Sequence, residues 1–200
     1  MVRSVPLPRR PDGPVRGWYE NELGWATVPG EPVRLSVGDR FDVLEVPAEA
    51  GRAALGRRAP GFPVALYDRT DGEEREVGDG RRMRLLVAAG SAEELPGILQ
   101  WLEWGALPLD LTALGEGSLM EAPLPPGLVP GRPPGMPVQG AAVWLRPPVA
   151  GCEVEASLPT VSASGGVRDA PDLVRLVDTL AAHCHRVRLR RLAAQPLAFS

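Results

Sequence analysis

Two acidic residues and a group of arginines are the side chains of this sequence that could take part in metal or phosphate chemistry. Glu45 and Asp110 each follow an apolar stretch, and Arg81, Arg82 and Arg84 lie between them. Carboxylates can hold divalent ions, and the planar fork of arginine suits phosphate oxygens. We take Glu45, Asp110, Arg81 and Arg82 as candidates for nucleotide binding. A second interpretation stays open, in which the acids pair with arginines or cap turns and the arginines belong to a solvated loop.

The segment His183-Cys184-His185 is the other candidate for chemistry, because histidine and cysteine are common metal ligands. Adjacent positions on a helix are about 100° apart, so the three side chains diverge. Cys184 falls on the apolar stripe of its helix and is expected in the core. The chain has no Gly-x-Ser-x-Gly elbow, phosphate-cradling Walker loop or zinc-spaced cysteine set. We therefore assign no catalytic residue, no metal ligand and no cofactor.

The candidate residues must be positioned by strands. Residues 40–46 predict a strand with Phe41, Val43 and Glu45 on one side and Asp42, Leu44 and Val46 on the other. Asp42 would then face away from Glu45. Asp110 is expected on a strand over 107–111. Arg81 and Arg82 are expected in a hairpin loop over 68–82 that leads into a buried strand over 83–89.

Helices and further strands complete an α+β fold, a mainly antiparallel sheet with packed helices. The helix over 91–104 is expected to start with a Ser91–Glu94 capping box, or alternatively at Pro96, and to bury Ile98, Trp101 and Leu102. The strand over 118–122 is expected to pair with 107–111. The other predicted elements are strands over 25–28, 62–67 and 141–146, helices over 17–23 and 48–58, and a C-terminal helix over 171–192 with an apolar stripe.

The order of these segments resembles the N-terminal domain of bifunctional DNA primase/polymerases. In that family a strand ends in an Asp-x-Asp pair that holds the catalytic metals, and Glu45 and Pro47 stand at the matching positions. Asp110 matches the third carboxylate, and the family's Gly-Gly-x-His segment is replaced by residues 78–83, which lack histidine. The remaining similarity lies in residues 23–29, 109–117, 120–126 and 142–145. The whole chain resembles an actinobacterial family of small proline-rich proteins containing a degenerate copy of this domain.

This resemblance implies a primase-like sheet-and-helix core whose chemistry has been lost. Two-metal nucleotidyl transfer needs several converging carboxylate oxygens, and Pro47 supplies none. The implied function is a catalytically inactive module with a binding or regulatory role. Two alternatives stay open: a nucleotide- and metal-dependent nucleotidyltransferase, and a protein-interaction module that uses the proline-rich loop.

Composition bounds the organisation of the chain and its partners. The 200 residues, with 23 glycines and 23 prolines, predict one modest domain over 15–146 with a disordered arm over 1–14, a linker over 147–170 and the C-terminal helix within 171–200. A net charge of −3 argues against dedicated nucleic-acid binding. The proline-rich segment 123–137 could dock a protein partner. No apolar run suits a membrane helix, so we expect a cytoplasmic protein.

Overall fold

The computed structural model describes residues 13–56, 61–68, 80–128, 142–150, 154–161 and 172–194. Most of the predicted arm, most of the predicted hairpin loop and residues 129–137 of the proline-rich segment lie outside these ranges. Within them the chain is an α+β protein with antiparallel sheets, as the sequence predicted.

Groups of two or three strands are separated by helices along the described parts of the chain. The helices are α1 (Pro14–Gly17), which continues as a π-helical turn (Trp18–Glu22), α2 (Ala48–Leu55), α3 (Ser91–Trp101), a 3-10 turn (Val154–Ser157) and α4 (Leu173–Ala194). The strands are β1 (Thr27–Val28), β2 (Arg34–Ser36), β3 (Asp42–Pro47), β4 (Val64–Asp68), β5 (Arg81–Val87), β6 (Thr112–Leu114), β7 (Leu119–Glu121) and β8 (Ala142–Arg146).

The larger sheet has five strands in the order β6-β3-β5-β4-β8, and all its pairs are antiparallel. Strands β3 and β5, which pair with each other near the middle of the sheet, are its longest strands, and both of their faces are covered. Val43 and Leu44 of β3 and Leu85 and Leu86 of β5 are fully buried. A smaller sheet, in the order β1-β2-β7, makes a separate layer.

The large sheet lies between two layers. On the helix side, Gly51 of α2 approaches Met83 closely, and the Ala92 amide of α3 donates to Asp42. On the other side, the Tyr67 hydroxyl donates to the Glu121 carbonyl of β7 at 2.5 Å. This division follows from the alternation of side chains along each strand.

The C-terminal helix packs onto the sheet through the apolar stripe that its sequence predicts. Leu173, Val177, Leu180, Cys184 and Val187 are buried, and α4 contacts both α2 and α3. Among the described residues, no helix has the length and apolar character needed to cross a lipid bilayer.

The start of α3 differs from the predicted capping box. Ser91 makes no capping hydrogen bond, and Gly90 is the N-cap residue with a left-handed backbone (φ 88°). Instead the carboxylate of Asp42, 50 residues earlier in the chain, accepts from the Ala92 amide at 2.8 Å. A distant residue thus satisfies the helix end, which local sequence could not reveal. The predicted apolar face of α3 is also wrong at Trp101, whose side chain is 74% exposed.

Two predicted strands are placed differently. Asp110 lies in the loop before β6, since the strand begins at Thr112 and not at Leu107. The expected hairpin between this strand and the next does not form: β6 pairs with β3, whereas β7 pairs with β2 in the smaller sheet. Strand β2 itself was not predicted, because its three residues are too few for a period-2 pattern.

Candidate functional site

The candidate site lies where β3 ends and β5 begins. Glu45 is directly opposite Arg84, and Pro47 is directly opposite Arg82. Side chains of directly opposed residues lie on the same face of a sheet, so all four point to one side. Arg82 was predicted on a loop. It is instead the second residue of β5, and its side chain is only 13% exposed.

Glu45 is paired through both of its carboxylate oxygens. Arg82 Nε donates to Oε1 at 3.1 Å, and Arg84 Nε donates to Oε2 at 2.5 Å. The Glu45 side chain is 17% exposed, and that of Arg84 is 19% exposed. Charge-assisted hydrogen bonds of this kind, largely shielded from water, are stronger than pairs on an open surface.

Asp110 joins the same group from its loop. Arg82 Nη1 donates to Asp110 Oδ1 at 2.6 Å, so one guanidinium joins the two candidate acids. Arg191 of α4 approaches Asp110 Oδ2 at 3.8 Å. The loop is also fixed from the helix side, where the Cys184 thiol donates to the Asp110 carbonyl at 3.6 Å. We call Glu45, Arg82, Arg84 and Asp110 the acid–arginine cluster.

The cluster is linked to the smaller sheet through Arg84 and then Tyr67, a residue of β4 in the larger sheet. The Arg84 guanidinium stacks over the Tyr67 ring, 3.9 Å from its centroid. Burial acts to lower the pKa of Arg84, but its interactions with Tyr67 and Glu45 outweigh burial and the net shift is upward. Burial raises the pKa of Tyr67, which Arg84 offsets only in part. The arginine therefore stays charged, and the Tyr67 hydroxyl stays protonated and donates to the Glu121 carbonyl.

Three of the four sequence candidates come together, and one does not. Glu45, Asp110 and Arg82 are in contact, whereas Arg81 starts β5 with its side chain on the opposite face by strand alternation. Sequence reasoning did not find Tyr67 or Arg191 as members of this site. Neither has a local signal, because both reach it only through sheet pairing and helix packing.

The arrangement does not fit a pair of divalent ions. All four carboxylate oxygens of Glu45 and Asp110 face a guanidinium nitrogen, and Pro47 offers no side-chain oxygen at the second position of the expected pair. Glu49, which could in principle swing back toward Glu45, pairs with Arg190 at 2.7 Å instead. In the part of the chain that the structure describes, no group of three His, Cys, Asp or Glu side chains could hold an ion.

Within the segment His183-Cys184-His185, Cys184 lies in the core, as its place on the apolar stripe of the helix predicted. Cys184 is buried, and burial raises the pKa of its thiol to about 12, so the thiol is protonated at neutral pH. His185 of α4 lies against Trp104 in the turn that follows α3, with ring centroids 6.0 Å apart. Comparison of the chain with protein-family models, with curated proteins and with solved structures gave no match.

Proposed function

We propose that this protein is a catalytically inactive, primase/polymerase-like module with a binding or regulatory role. One observation carries the proposal: Arg82 hydrogen-bonds to both Glu45 and Asp110, the two acids that stand where the resemblance expects metal ligands. The residues that metal chemistry would need are thereby used as structural ion pairs.

The charge of the site supports this proposal. Two carboxylates contribute −2, while Arg82, Arg84 and Arg191 contribute +3, so the group as a whole is positive. A divalent cation would have to displace guanidinium groups and then lie beside them. Removing one partner from a shielded ion pair typically costs about 3–5 kcal/mol. Binding of a divalent cation would therefore be opposed by electrostatic repulsion from the arginines and by the loss of the existing ion pairs.

Primer synthesis and primer extension, each assayed with Mg²⁺ and with Mn²⁺, test the loss of chemistry. We expect no product and, in isothermal titration, no heat with any nucleoside triphosphate. A suitable control is the variant Pro47→Asp combined with Arg82→Gln, which adds a carboxylate and removes the shared guanidinium. We expect this variant to bind Mn²⁺ more tightly than the natural chain, as followed by Mn²⁺ electron paramagnetic resonance.

The competing hypothesis is a working nucleotidyltransferase that uses Glu45, Asp110 and the arginines. Metal-dependent primer synthesis by the natural chain, lost in both Glu45→Ala and Asp110→Ala, would establish that hypothesis and refute ours.

Docking through the proline-rich segment stays a prediction, and its test is whether deletion of residues 123–137 removes a defined partner. We place the protein's action in the cytoplasm, a further part of the same proposal.

A further inference from the structure

A cavity of about 190 Å³ lies at the end of the large sheet where β4 begins and β8 ends. Its lining is mostly apolar and comes from both strand ends and from the 3-10 turn: Pro63, Pro147, Pro148, Val149 and Val154. The cavity shares no residue with the acid–arginine cluster, so it is a separate place for a ligand.

The fold itself fixes the walls of this cavity. The Leu86 amide of β5 donates to the Pro63 carbonyl at 3.1 Å, which holds the segment before β4 against the sheet. The Ser157 hydroxyl donates to the Val154 carbonyl at 2.7 Å within the 3-10 turn, and the Val154 side chain is 5% exposed. Walls that are set by strands and a packed turn are typical of preformed ligand sites.

Arg146 gives the cavity its only charge, since the other lining residues are glycine, proline, valine and serine. The Arg146 side chain is half-buried, and among the described residues its guanidinium has neither a hydrogen bond nor an ion pair. Glu155 of the 3-10 turn is bonded to Arg40 at 3.2 Å instead. A charged side chain that leaves water is normally paired, because desolvation of an isolated charge is costly. The cavity thus holds a positive charge for which the described part of the chain supplies no counter-ion.

We propose that this cavity binds a small carboxylate with an apolar body, the carboxylate on Arg146 and the body between the prolines and valines. The planar guanidinium matches the two oxygens of a carboxylate. An apolar cavity of about 150 Å³ holds benzene, so the volume here suits one ring or a short branched chain. Inorganic phosphate would pair the charge but leave the apolar walls uncovered, and a neutral ring would do the reverse.

Phenylacetate is a probe that has both parts, and 2-phenylethanol has the same ring without the charge. In amide NMR spectra of the full chain, we expect phenylacetate to shift Arg146, Val149, Val154 and Ser157 with a Kd of about 1 mM. We expect 2-phenylethanol and inorganic phosphate each to bind at least about 10-fold more weakly, because each satisfies only one part of the site.

Variants separate the role of Arg146 from a general effect on the protein. Arg146→Gln should lose the preference for phenylacetate over 2-phenylethanol, and Arg146→Lys should keep only part of it, because an ammonium lacks the fork. Val149 is 58% exposed at the rim, so Val149→Asp places a second carboxylate there and should weaken phenylacetate binding at least about 10-fold. Arg175→Gln is the matched control: Arg175 is exposed on α4, and its replacement should leave binding unchanged. Circular dichroism must show folded protein for each variant.

The same chemistry can come from a free acid or from the C-terminus of a peptide. The tripeptide Gly-Gly-Phe, with a free and with an amidated C-terminus, distinguishes these sources. Tighter binding of its free form than of phenylacetate assigns the site to a protein C-terminus, and weaker binding assigns it to a small acid.

Three results would overturn the proposal. The first is the absence of any shift with phenylacetate up to about 10 mM. The second is a set of shifts that spreads over exposed apolar residues elsewhere, such as Trp101 and Leu192. The third is binding of phenylacetate that is equally tight in folded Arg146→Gln, or binding of phosphate or 2-phenylethanol that is as tight as that of phenylacetate.

Discussion

At the scale of single residues, Arg82 is the centre of the acid–arginine cluster, since its fork reaches Glu45 and Asp110 together. Arg82→Met keeps the aliphatic volume but leaves Asp110 without its close partner and Glu45 with only Arg84. We expect the free energy of unfolding in urea to fall by about 2 kcal/mol, below the value for fully buried pairs because the site is partly exposed. Arg82→Lys should not restore it, because an ammonium lacks the fork.

Arg40→Met is the matched control for this change. Its ion pair with Glu155 is exposed on both sides (57% and 39%), so its removal should cost less than about 1 kcal/mol. Equal losses for the two variants would mean that Arg82 is an ordinary surface arginine, and the argument from the cluster would then fail.

Asp42 is the second residue whose substitution should change the free energy of unfolding, because it carries a carboxylate and is only 1% exposed. Burial raises its pKa above the ordinary 3.8, and the Ala92 amide offsets only part of the rise. The folded state therefore holds the proton more tightly than the unfolded state does. The contribution of Asp42 to stability is fully present below about pH 3.8 and is lost as the pH rises through the folded-state pKa.

Asp42→Asn removes this titration while keeping an oxygen for the Ala92 amide. We expect the unfolding free energy of the variant, minus that of the natural chain, to increase as the pH rises from about 3.8. Urea titrations at a series of pH values measure the difference directly. A difference that stays constant with pH would show that Asp42 is not a desolvated acid.

At the scale of elements, the contact between α2 and β5 is set by a glycine. A Cβ at Gly51 would overlap Met83 Sδ and lie 3.2 Å from its Cβ and Cγ, and Met83 is fully buried. Gly51→Ala should lower the free energy of unfolding by about 1–3 kcal/mol, because overpacking outweighs the helix propensity of alanine. Gly97 of α3 has no atom within 4 Å, so Gly97→Ala should raise stability by up to about 1 kcal/mol. Thermal unfolding of both variants checks the opposite signs.

The elements also show how far the sequence alone could lead. Strand β3 was predictable from its apolar residues, which are buried on both faces of the sheet, and helix α4 was predictable from a long apolar stripe that its burial repeats. The strand position of Arg82 was not, since its neighbours in sequence are polar and its partners are 28 and 37 residues away. The pairing of each acid with an arginine was one of two interpretations, and the sequence could not choose between them. Nucleotide binding by these residues stays a prediction.

At the scale of the whole molecule, α4 closes the hydrophobic core that the described residues form. The helix contributes Leu173, Val177, Leu180, Cys184 and Val187 to the same buried cluster as the central strands. Burying a large apolar side chain contributes about 1.5–3 kcal/mol, so five contribute about 10 kcal/mol, comparable with the net stability of a typical domain. We therefore expect the C-terminal helix to be required for the domain to fold.

A chain that ends at residue 171 tests this conclusion. Without α4, the helix side of β3 and much of α2 would be open to water, so we expect no cooperative urea transition and strong binding of an apolar dye. Leu189→Ser in the full chain is the control: that side chain is 51% exposed, and its replacement should leave the unfolding midpoint of dilute protein unchanged. A cooperative transition in the truncated chain would show instead that residues 13–161 form a core of their own.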